Sequence, residues 1–544
     1  MVAEKSAHID RFAAESLPRP EQLPTLIFTL PELHYPARLN CVAELLDRAV
    51  AEGDGSRTAI LASGLKWTYA ELQHKANCVA QVLTEDLGVV AGNRVLLRAA
   101  NIPMLAACWL GVVKAGAIAV GTMPLLRARE LTVVIEKAEI ALALCDEKLG
   151  EELTAAQELS PRLTDVIHFD GAGGLEEKIA LKSGQFEAVD SAAEDICFFA
   201  FTSGTTGGPK GVMHCHRDVL AACDCFPPAC LKATKEDIFC GSPPLAFTYG
   251  LGGLLLFPLR ARAATLLVEQ ASPDGLLAAI EEHKASILFT APTGFRAMQE
   301  KLGGYDVSSL RRCVSAGETL PKATFDAWRD ATGLAIIDGI GSTEMLHIFI
   351  SSADEDIRPG ATGKVVPGYE ARVIGEDGNE LPPDEIGRLA VRGPTGCRYL
   401  KGERQTHYVE NGWNLTGDAY RMDADGYYWF EARNDDMIIS AGYNISGPEV
   451  EAALLEHEAV MESACVASPD EARGNIVKAF VVLRSGFSGT DALIKALQDF
   501  VKSRIAPYKY PRAIEFVEAL PKTGTGKVQR FRLREIESKK AGRG

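Results

Sequence analysis

The sequence predicts an α/β protein with a large N-terminal domain of mainly parallel, layered sheets, a β-rich subdomain, and a small α+β C-terminal domain. At 544 residues the chain exceeds what one hydrophobic core supports. Helical patterns such as residues 69–83 alternate with short apolar runs at 95–97, 140–144 and 286–290, which is typical of parallel sheets covered by helices. From Arg372 onward, strands joined by Asp-Gly turns predict the β-rich subdomain.

The predicted domain boundary lies in the charged segment Glu431–Asp436. After it a compact α+β pattern begins, with a helix start at Gly447 and an apolar strand at residues 477–483. We therefore assign residues 1–434 to the N-terminal domain and residues 435–544 to the C-terminal domain.

Composition and charge restrict the classes of function. With 57 basic and 73 acidic residues the net charge is −16, which argues against a general nucleic-acid binder but allows a small anion in a local pocket. The 13 cysteines follow no spacing pattern, as expected for reduced thiols in a cytoplasmic protein. A zinc site of Cys223, Cys225 and Cys230 with His214 and His216 fits no standard finger, so buried thiols are the favoured interpretation.

The sequence indicates no signal peptide and no membrane span. The first residues lack a basic region followed by an apolar one. The longest apolar stretch, Met104–Met123, is interrupted by Lys114 and punctuated by glycines, so it predicts a buried helix followed by a strand. We expect no membrane and no nucleic-acid partner, and both a monomer and a homodimer remain open.

The segment Phe201–Gly211 predicts a phosphate-binding loop. It follows an apolar strand at residues 196–200 and combines glycines, hydroxyl side chains and Lys210, so amide and hydroxyl groups can face an anion. Pro209 precedes the lysine and glycine follows it, which argues against a Walker A loop and an ordinary P-loop NTPase. The alternative, a mobile surface linker, is disfavoured by the strand before it.

Further motifs follow in order along the chain: Asp338–Glu344, Thr416–Asp418, Arg433–Asp436 with Ile439–Asn444, and Pro521–Lys527. Together with the predicted loop they resemble the adenylate-forming ligases, which include acyl- and aryl-CoA synthetases, luciferases and the adenylation domains of peptide synthetases. Residues 339–350 and 527–535 are similar to the benzoate-CoA ligase branch, and residues 8–12 and 39–47 are similar to 2-aminobenzoate-CoA ligases. The resemblance implies a two-step reaction with ATP, CoA and Mg²⁺, in which a carboxylate is joined first to AMP and then to CoA.

The resemblance also implies a nucleotide site drawn from distant parts of the chain. Its residues here are Thr202, Ser203, Gly204, Thr205, Thr206, Gly207, Lys210, Ser315, Ala316, Gly317, Glu318, Asp338, Asp418 and Arg433. In this reading residues 315–318 pack along the adenine. Asp418 and Arg433 contact the ribose, and accepting two hydroxyls suits an ionised carboxylate.

Lys527, Thr343 and Glu344 are implied as the catalytic residues. Lys527 would bridge the carboxylate and the α-phosphate during adenylation, because the reaction depends on positive charge where negative charge develops. Thr343 would contact the α-phosphate, and Glu344 would hold Mg²⁺. Without the resemblance, Lys527 is equally compatible with a solvated lysine in a basic tail.

In the family, the small C-terminal domain is mobile and rotates between the two steps. The hinge position falls at Asp435. Rotation would withdraw Lys527 and bring a CoA tunnel into place, in which glycine allows a close backbone path. The tunnel residues implied here are Ser440, Ala441, Gly442 and Tyr443.

The acid pocket is expected to combine small and aromatic side chains. Its residues are Phe247, Thr248, Tyr249, Ala316, Gly339, His347 and Ile348. The small residues would leave a flat slot for a ring, with Phe247 and Tyr249 as walls. Thr248 and His347 would read a ring substituent, with the alternative that His347 is satisfied by a neighbouring group. We favour 2-aminobenzoate, then benzoate or hydroxybenzoate, over a fatty acid.

Three rival classes share part of this pattern. A luciferase-like oxygenase has the same ATP motifs and would be separated by light emission. A peptide-synthetase module would carry an acid against an α-amino group and a carrier domain, for which the short segment after Lys527 leaves no room. A non-catalytic relative is disfavoured by the joint presence of five residues, namely Lys210, Glu344, Asp418, Arg433 and Lys527.

Overall fold

The computed structural model describes residues 5–202, 209–317, 320, 322–375, 377–433, 437–521, 528 and 530–541. The strands are β1 (Thr58–Ala62), β2 (Leu65–Thr68), β3 (Arg94–Arg98), β4 (Ile118–Thr122), β5 (Leu142–Asp146), β6 (Asp165–Phe169), β7 (Ile196–Thr202), β8 (Lys210–Cys215), β9 (Ile238–Gly241), β10 (Ala264–Leu266), β11 (Ile287–Thr290), β12 (Arg312–Ser315), β13 (Ile336–Gly341), β14 (Ile348–Ser351), β15 (Lys364–Val365), β16 (Glu370–Ile374), β17 (Gly387–Arg392), β18 (Val409–Glu410), β19 (Trp413–Met422), β20 (Tyr428–Arg433), β21 (Met437–Ser440), β22 (Tyr443–Ser446), β23 (Val460–Asp470), β24 (Gly474–Leu483) and β25 (Ala513–Phe516).

The helices are α1 (Phe12–Glu15), α2 (Arg48–Ala51), α3 (Tyr69–Gln81), α4 (Pro103–Lys114), α5 (Ala128–Ala138), α6 (Gly150–Leu159), α7 (Leu175–Ala180), α8 (His216–Phe226), α9 (Thr248–Leu251), α10 (Phe257–Arg260), α11 (Pro273–His283), α12 (Pro292–Gln299), α13 (Lys322–Thr332), α14 (Gln405–Tyr408), α15 (Gly447–Leu455), α16 (Asp491–Arg504) and α17 (Arg530–Ala541).

Two mainly parallel sheets form the body of the N-terminal domain. The first has the strand order β6-β5-β3-β4-β7-β8, in which β8 runs antiparallel to β7. The second has the order β15-β14-β13-β12-β11-β9-β10-β1-β2, and its strands from β13 to β1 are parallel. Parallel neighbours require crossover connections, and the helices supply them. This confirms the layered α/β architecture predicted from the alternating apolar runs.

The β-rich subdomain and the C-terminal domain follow as expected. Strands β16-β17-β19-β18, with β20 on β19, form an antiparallel sheet. In the C-terminal domain β21 and β22 form a hairpin, and β23-β24-β25 form a sheet packed with α15, α16 and α17. The fold class is therefore confirmed. The boundary between residues 434 and 435 lies outside the described residues and stays a prediction.

The apolar stretch Met104–Met123 is a buried helix, α4, followed by strand β4, as the sequence predicts. Across the described ranges, no helix has the length and apolar character that a bilayer crossing requires.

Helices α3 and α4 approach each other closely at Gly111. The start of α3 is set by a capping box, in which Glu71 N–H donates to the Thr68 hydroxyl at 3.2 Å and Thr68 N–H donates to the Glu71 carboxylate at 2.7 Å. A Cβ atom at Gly111 would lie 2.7 Å from the Val79 side chain and 2.8 Å from the Ala76 carbonyl oxygen. The backbone oxygen cannot move aside, so this crossing needs glycine.

We predict that Gly111→Ala lowers the free energy of unfolding by about 1–2 kcal/mol, because overpacking outweighs the gain in helix propensity. Gly303→Ala is the matched control, since nothing lies within 4 Å of a Cβ at Gly303 and its φ is ordinary. Denaturant unfolding of both variants would measure the difference. Equal stability of the two variants would contradict the close approach.

Candidate active site

One cavity of about 840 Å³ lies where the N-terminal domain meets the C-terminal hairpin. Its volume falls in the range of about 300–1,000 Å³ that is usual for small-molecule sites. The predicted residues that line it are Thr202, Lys210, Phe247, Thr248, Tyr249, Ala316, Gly317, Thr343, Glu344, His347, Ile348, Asp418, Ala441, Gly442 and Tyr443. Side chains more than two hundred residues apart in sequence therefore meet in one place.

Other predicted residues lie elsewhere. Ser315, Asp338, Gly339 and Ser440 are described but do not line this cavity. Arg433 ends β20 opposite Asp418 in the register of β19 and β20. Ser203, Gly204, Thr205, Thr206, Gly207, Glu318, Asp435 and Lys527 lie outside the described residues.

Glu344 is held in place by a residue that sequence reasoning missed. The Tyr399 hydroxyl donates to Oε1 of Glu344. Burial and the nearby Glu344 charge raise the pKa of Tyr399 far above its usual value, so the phenol keeps its proton and remains a donor. Lys210 Nζ lies 5.7 Å from the centre of the same ring. The carboxylate thus has a fixed orientation at the cavity wall.

Thr343 is positioned through its backbone. His214 Nε2 lies 2.8 Å from the Thr343 carbonyl oxygen, so the imidazole donates to it. Nδ1 of His214 lies 3.7 Å from the Asp218 carboxylate, and Asp218 in turn accepts from the Arg398 guanidinium. Burial acts against ionisation of Asp218, but Arg398 and His214 outweigh it and hold the pKa below its usual range. A buried chain of charged and polar groups therefore supports this wall.

These supporting residues carried no local signal in the sequence. Tyr399 is 55 positions from Glu344 and belongs to none of the recognised motifs. For His214 the sequence suggests only a metal-binding role, which it disfavours. A buried Asp218 paired with Arg398, 180 positions away, becomes visible only once the tertiary fold brings them together.

The oxygen-rich corner at Glu344 fits a magnesium ion. Mg²⁺ prefers hard oxygen donors and is commonly held by one or two carboxylates together with phosphates. Glu344 offers such a carboxylate at the cavity wall, with Thr343 beside it and Lys210 on the same wall. The role of Glu344 as the metal ligand stays a prediction.

The pocket near helix α9 is enclosed by rings. Tyr249 donates its hydroxyl to the carbonyls of Thr290 and Val314, at 3.2 and 3.1 Å, so its ring and not its hydroxyl faces the cavity. Nε2 of the buried His347 lies 3.3 Å from the Tyr249 carbonyl, and burial lowers the pKa of His347 to about 3. The imidazole is therefore neutral and Nε2 carries the proton. Nδ1 of His347 has no hydrogen-bond partner among the described residues.

Two glycines near this pocket are required for packing between strands. The sequence had suggested instead that small residues leave space for a substrate ring. A Cβ at Gly339 would lie 2.8 Å from the Ile348 side chain, and one at Gly341 would lie 2.6 Å from the His347 carbonyl oxygen. Both glycines allow β13 to pack against the start of β14. Gly341 borders the cavity, whereas Gly339 lies beneath Ile348.

The tip of the β21–β22 hairpin borders the same cavity as Thr343. Its two turn residues, Ala441 and Gly442, have φ values of 49° and 79°. Positive φ at both positions is the geometry of a tight hairpin turn that favours glycine. Ala441 N–H donates to the Arg473 carbonyl at 3.1 Å, and Arg473 donates to the Ser440 hydroxyl at 3.3 Å, which fixes the tip to the C-terminal domain.

The zinc site that the sequence disfavours, with Cys223, Cys225 and Cys230, is not among the possible metal groups of the described residues. In the described part of the chain, the side chains that could together bind a metal ion are Cys41, Cys197 and His216. Their possible ligand atoms lie within 4.8 Å of one another. Cys41 N–H donates to His216 Nδ1 at 3.2 Å and so already uses the lone pair that a metal at Nδ1 would need. All 13 cysteines are buried free thiols, as the favoured interpretation expected.

Asp338 does not line the cavity, and the protonation of its carboxyl group is altered by burial. Its Oδ1 and the hydroxyl of Ser315, its register partner on β12, are both buried. Burial raises the pKa of Asp338 to about 8. At neutral pH the group is therefore mostly protonated and can both donate and accept.

We predict that this carboxyl makes stability fall with rising pH. Between about pH 4 and pH 8 the folded chain holds a proton that the unfolded chain releases, so unfolding is favoured by about 1.4 kcal/mol per pH unit. Asp338→Asn should remove this slope. Thermal unfolding of both proteins at pH 5.5 and 7.5 would measure it, and parallel curves would contradict the raised pKa.

Comparisons with known proteins agree with this geometry. The family model described as "AMP-binding enzyme" matches residues 47–399, and that described as "AMP-binding enzyme C-terminal domain" matches residues 449–527. The benzoate–CoA ligase of Thauera aromatica is 36% identical over 517 residues, which span 93% of this chain and 98% of that protein.

Solved structures show the same fold over nearly the whole chain. The anthranilate CoA ligase AuaEII, in complex with anthranoyl-AMP, superposes with a TM-score of 0.74 at 36% identity, covering 93% of this chain and 99% of that one. A benzoate CoA ligase from Burkholderia xenovorans LB400 gives 0.70 at 32% identity, covering 91% and 100%. The chain belongs to the AMP-binding enzyme family and is an AMP-forming acid–thiol ligase that makes acyl- or aryl-CoA.

Proposed function

We propose that this ligase activates an aromatic carboxylate, with 2-aminobenzoate as the preferred acid and benzoate or hydroxybenzoate as the alternatives. The observation that carries the proposal is the single cavity in which Glu344, Asp418, a ring-walled pocket and the hairpin tip meet. The relatives named for benzoate and anthranilate support an aromatic acid over a fatty acid. The buried free thiols are consistent with a reducing, cytoplasmic location.

In the first step a carboxylate oxygen of the acid attacks the α-phosphorus of ATP, pyrophosphate leaves, and an acyl-adenylate forms. We propose that Lys210, which lines the cavity, attracts the phosphates. We also propose that Asp418, opposite Arg433 across the β19–β20 ladder, accepts the ribose hydroxyls. Mg²⁺, held by Glu344, would supply positive charge to the phosphates. Lys527 is proposed to bridge the two anions as they combine.

In the second step the CoA sulfur attacks the acyl carbonyl carbon, AMP leaves, and the thiol proton passes to solvent. The turn Ala441–Gly442 borders the cavity, so a pantetheine arm passing between the domains would meet backbone rather than bulky side chains. Tyr443, the next residue in the chain, lines the same cavity. We propose this hairpin as the CoA tunnel and Asp435 as the hinge that moves it, with residues 435–544 as the moving domain.

The acid pocket supports a substrate that carries a hydrogen-bond donor. Thr248 lines the cavity and carries a hydroxyl that could accept from a ring substituent, and the neutral His347 contributes to the aromatic wall. A hydrogen bond between the Thr248 hydroxyl and an ortho-amino group would contribute about 0.5–1.5 kcal/mol net. Benzoate brings no such group.

We predict that Lys527→Ala slows adenylation by roughly two to three orders of magnitude, because a preorganised charge at a transition state contributes about 3–4 kcal/mol. Thioester formation from supplied acyl-adenylate should be much less affected. Pyrophosphate exchange and single-turnover thioester assays separate the two steps. Equal losses in both would contradict the proposed division of labour.

The substrate proposal is tested by AMP release with a panel of aryl and fatty acids in the presence of ATP and CoA. We predict a higher kcat/KM for 2-aminobenzoate than for benzoate. Thr248→Val keeps the shape of the side chain and removes its hydroxyl, so it should narrow this gap by about three- to tenfold, the value of one net hydrogen bond. A wild-type preference for benzoate, or proportional losses for both acids, would remove 2-aminobenzoate from first place.

A further inference from the structure

Lys509 forms a buried ion-pair cluster between the two domains. Its Nζ donates to Oε1 of Glu130, on α5 of the N-terminal domain, at 2.6 Å. It also donates to both carboxylate oxygens of Glu449, on α15 of the C-terminal domain, at 2.8 and 3.0 Å. Lys509 is 4% exposed and Glu130 is 7% exposed. Such a buried contact across a domain boundary is sensitive to the loss of either partner.

The charge on Lys509 is maintained despite its burial. Burial alone favours the neutral amine, but Tyr508, Glu449 and Glu130 outweigh it and raise the pKa of Lys509 above its usual value. The ammonium is therefore the group that both carboxylates need. Its contact with Glu130 is the part of the cluster that depends on how the domains are oriented.

The cluster is directly connected to the hairpin at the cavity. Tyr508, the residue before Lys509, packs against Tyr443 with ring centres 4.4 Å apart. Tyr443 begins β22 and lines the cavity with Gly442. A contact made by Lys509 with the N-terminal domain therefore fixes where the hairpin tip lies.

We propose that Glu130 and Lys509 are positioning residues for thioester formation, because their buried ion pair holds the C-terminal domain in the orientation that brings Gly442 and Tyr443 to the cavity. The kinetic part of this proposal rests on the two-step function proposed above. The orientation part does not, because it concerns only the contact between the domains.

A second ion pair crosses the same boundary and serves as the comparison. Arg129, next to Glu130 on α5, pairs with Glu456 of the C-terminal domain. Its side chains are 65% and 32% exposed. Exposed pairs contribute about 0–1 kcal/mol, whereas buried hydrogen-bonded pairs are far more sensitive to substitution. Glu456→Gln is therefore the matched control for Glu130→Gln.

Glu130→Gln is the informative variant because it leaves the rest of the cluster intact. Lys509 keeps Glu449, so the C-terminal domain retains its own ion pair. Oε2 of Glu130 also accepts Arg127 N–H at 3.0 Å at the start of α5, and the glutamine carbonyl can keep that contact. Lys509→Met is the second variant, and it removes the ammonium from the other side.

Domain orientation can be measured without substrate. Arg129→Cys together with Glu456→Cys places two exposed thiols across the boundary, while all 13 native cysteines are buried. A short bifunctional thiol reagent then reports how often the domains are docked. Lys137 lies on α5 like Glu130, and it pairs with Glu403 of the N-terminal domain. Lys137→Gln is therefore the control in the double-cysteine protein.

We expect Glu130→Gln and Lys509→Met to slow cross-linking severalfold and to slow thioester formation from supplied acyl-adenylate about tenfold, with pyrophosphate exchange changed less than about twofold. Both control variants should behave as the parent. Unchanged cross-linking, or equal slowing of both half-reactions, would overturn the proposal. If no acid yields a CoA thioester, the proposed function fails, and cross-linking alone still decides the positioning role.

Discussion

The buried ion pair between Asp218 and Arg398 is the interaction on which the cavity wall depends. Two charges are tolerated in the interior because each satisfies the other, and removal of either would leave an uncompensated charge. The carbonyl of Arg398 also accepts the Met213 N–H at 2.8 Å, so the backbone of this segment is bound to β8 while its side chain is bound to α8. The next residue, Tyr399, is thereby placed to orient Glu344. The position of the proposed metal ligand is thus set by residues far from its own motif in sequence.

Much of the fold could be predicted because its signals are local. The apolar run at 196–200 is the core of β7, and the helix predicted at 69–83 begins at its capping residue, Thr68. The motif residues that line the cavity could also be predicted, because the motifs follow one another in a fixed order along the chain. The contacts that support them were not. The contact between Lys509 and Glu130 spans 379 positions and depends on how two separately folded domains pack.

Glycine shows where reasoning from residue size is insufficient. Small residues near the acid pocket suggested open space for a ring, and Ala316 and Gly341 do border the cavity. At Gly339, however, the space is taken by Ile348. A missing side chain is equally compatible with a ligand and with a neighbouring strand. Only the tertiary structure distinguishes the two, because the sequence does not state what lies opposite.

The hairpin of β21 and β22 has a consequence for the rate of the catalytic cycle. Within the described residues its strands pair only with each other, and it joins no larger sheet. The proposed rotation would therefore break no backbone ladder between this hairpin and a larger sheet. The free energy difference between the two orientations is then left to side-chain contacts between the domains, such as that of Lys509 with Glu130. Such contacts change by small amounts with single substitutions. The turnover rate of this enzyme can therefore change through substitutions at residues that contact neither the acid nor the nucleotide.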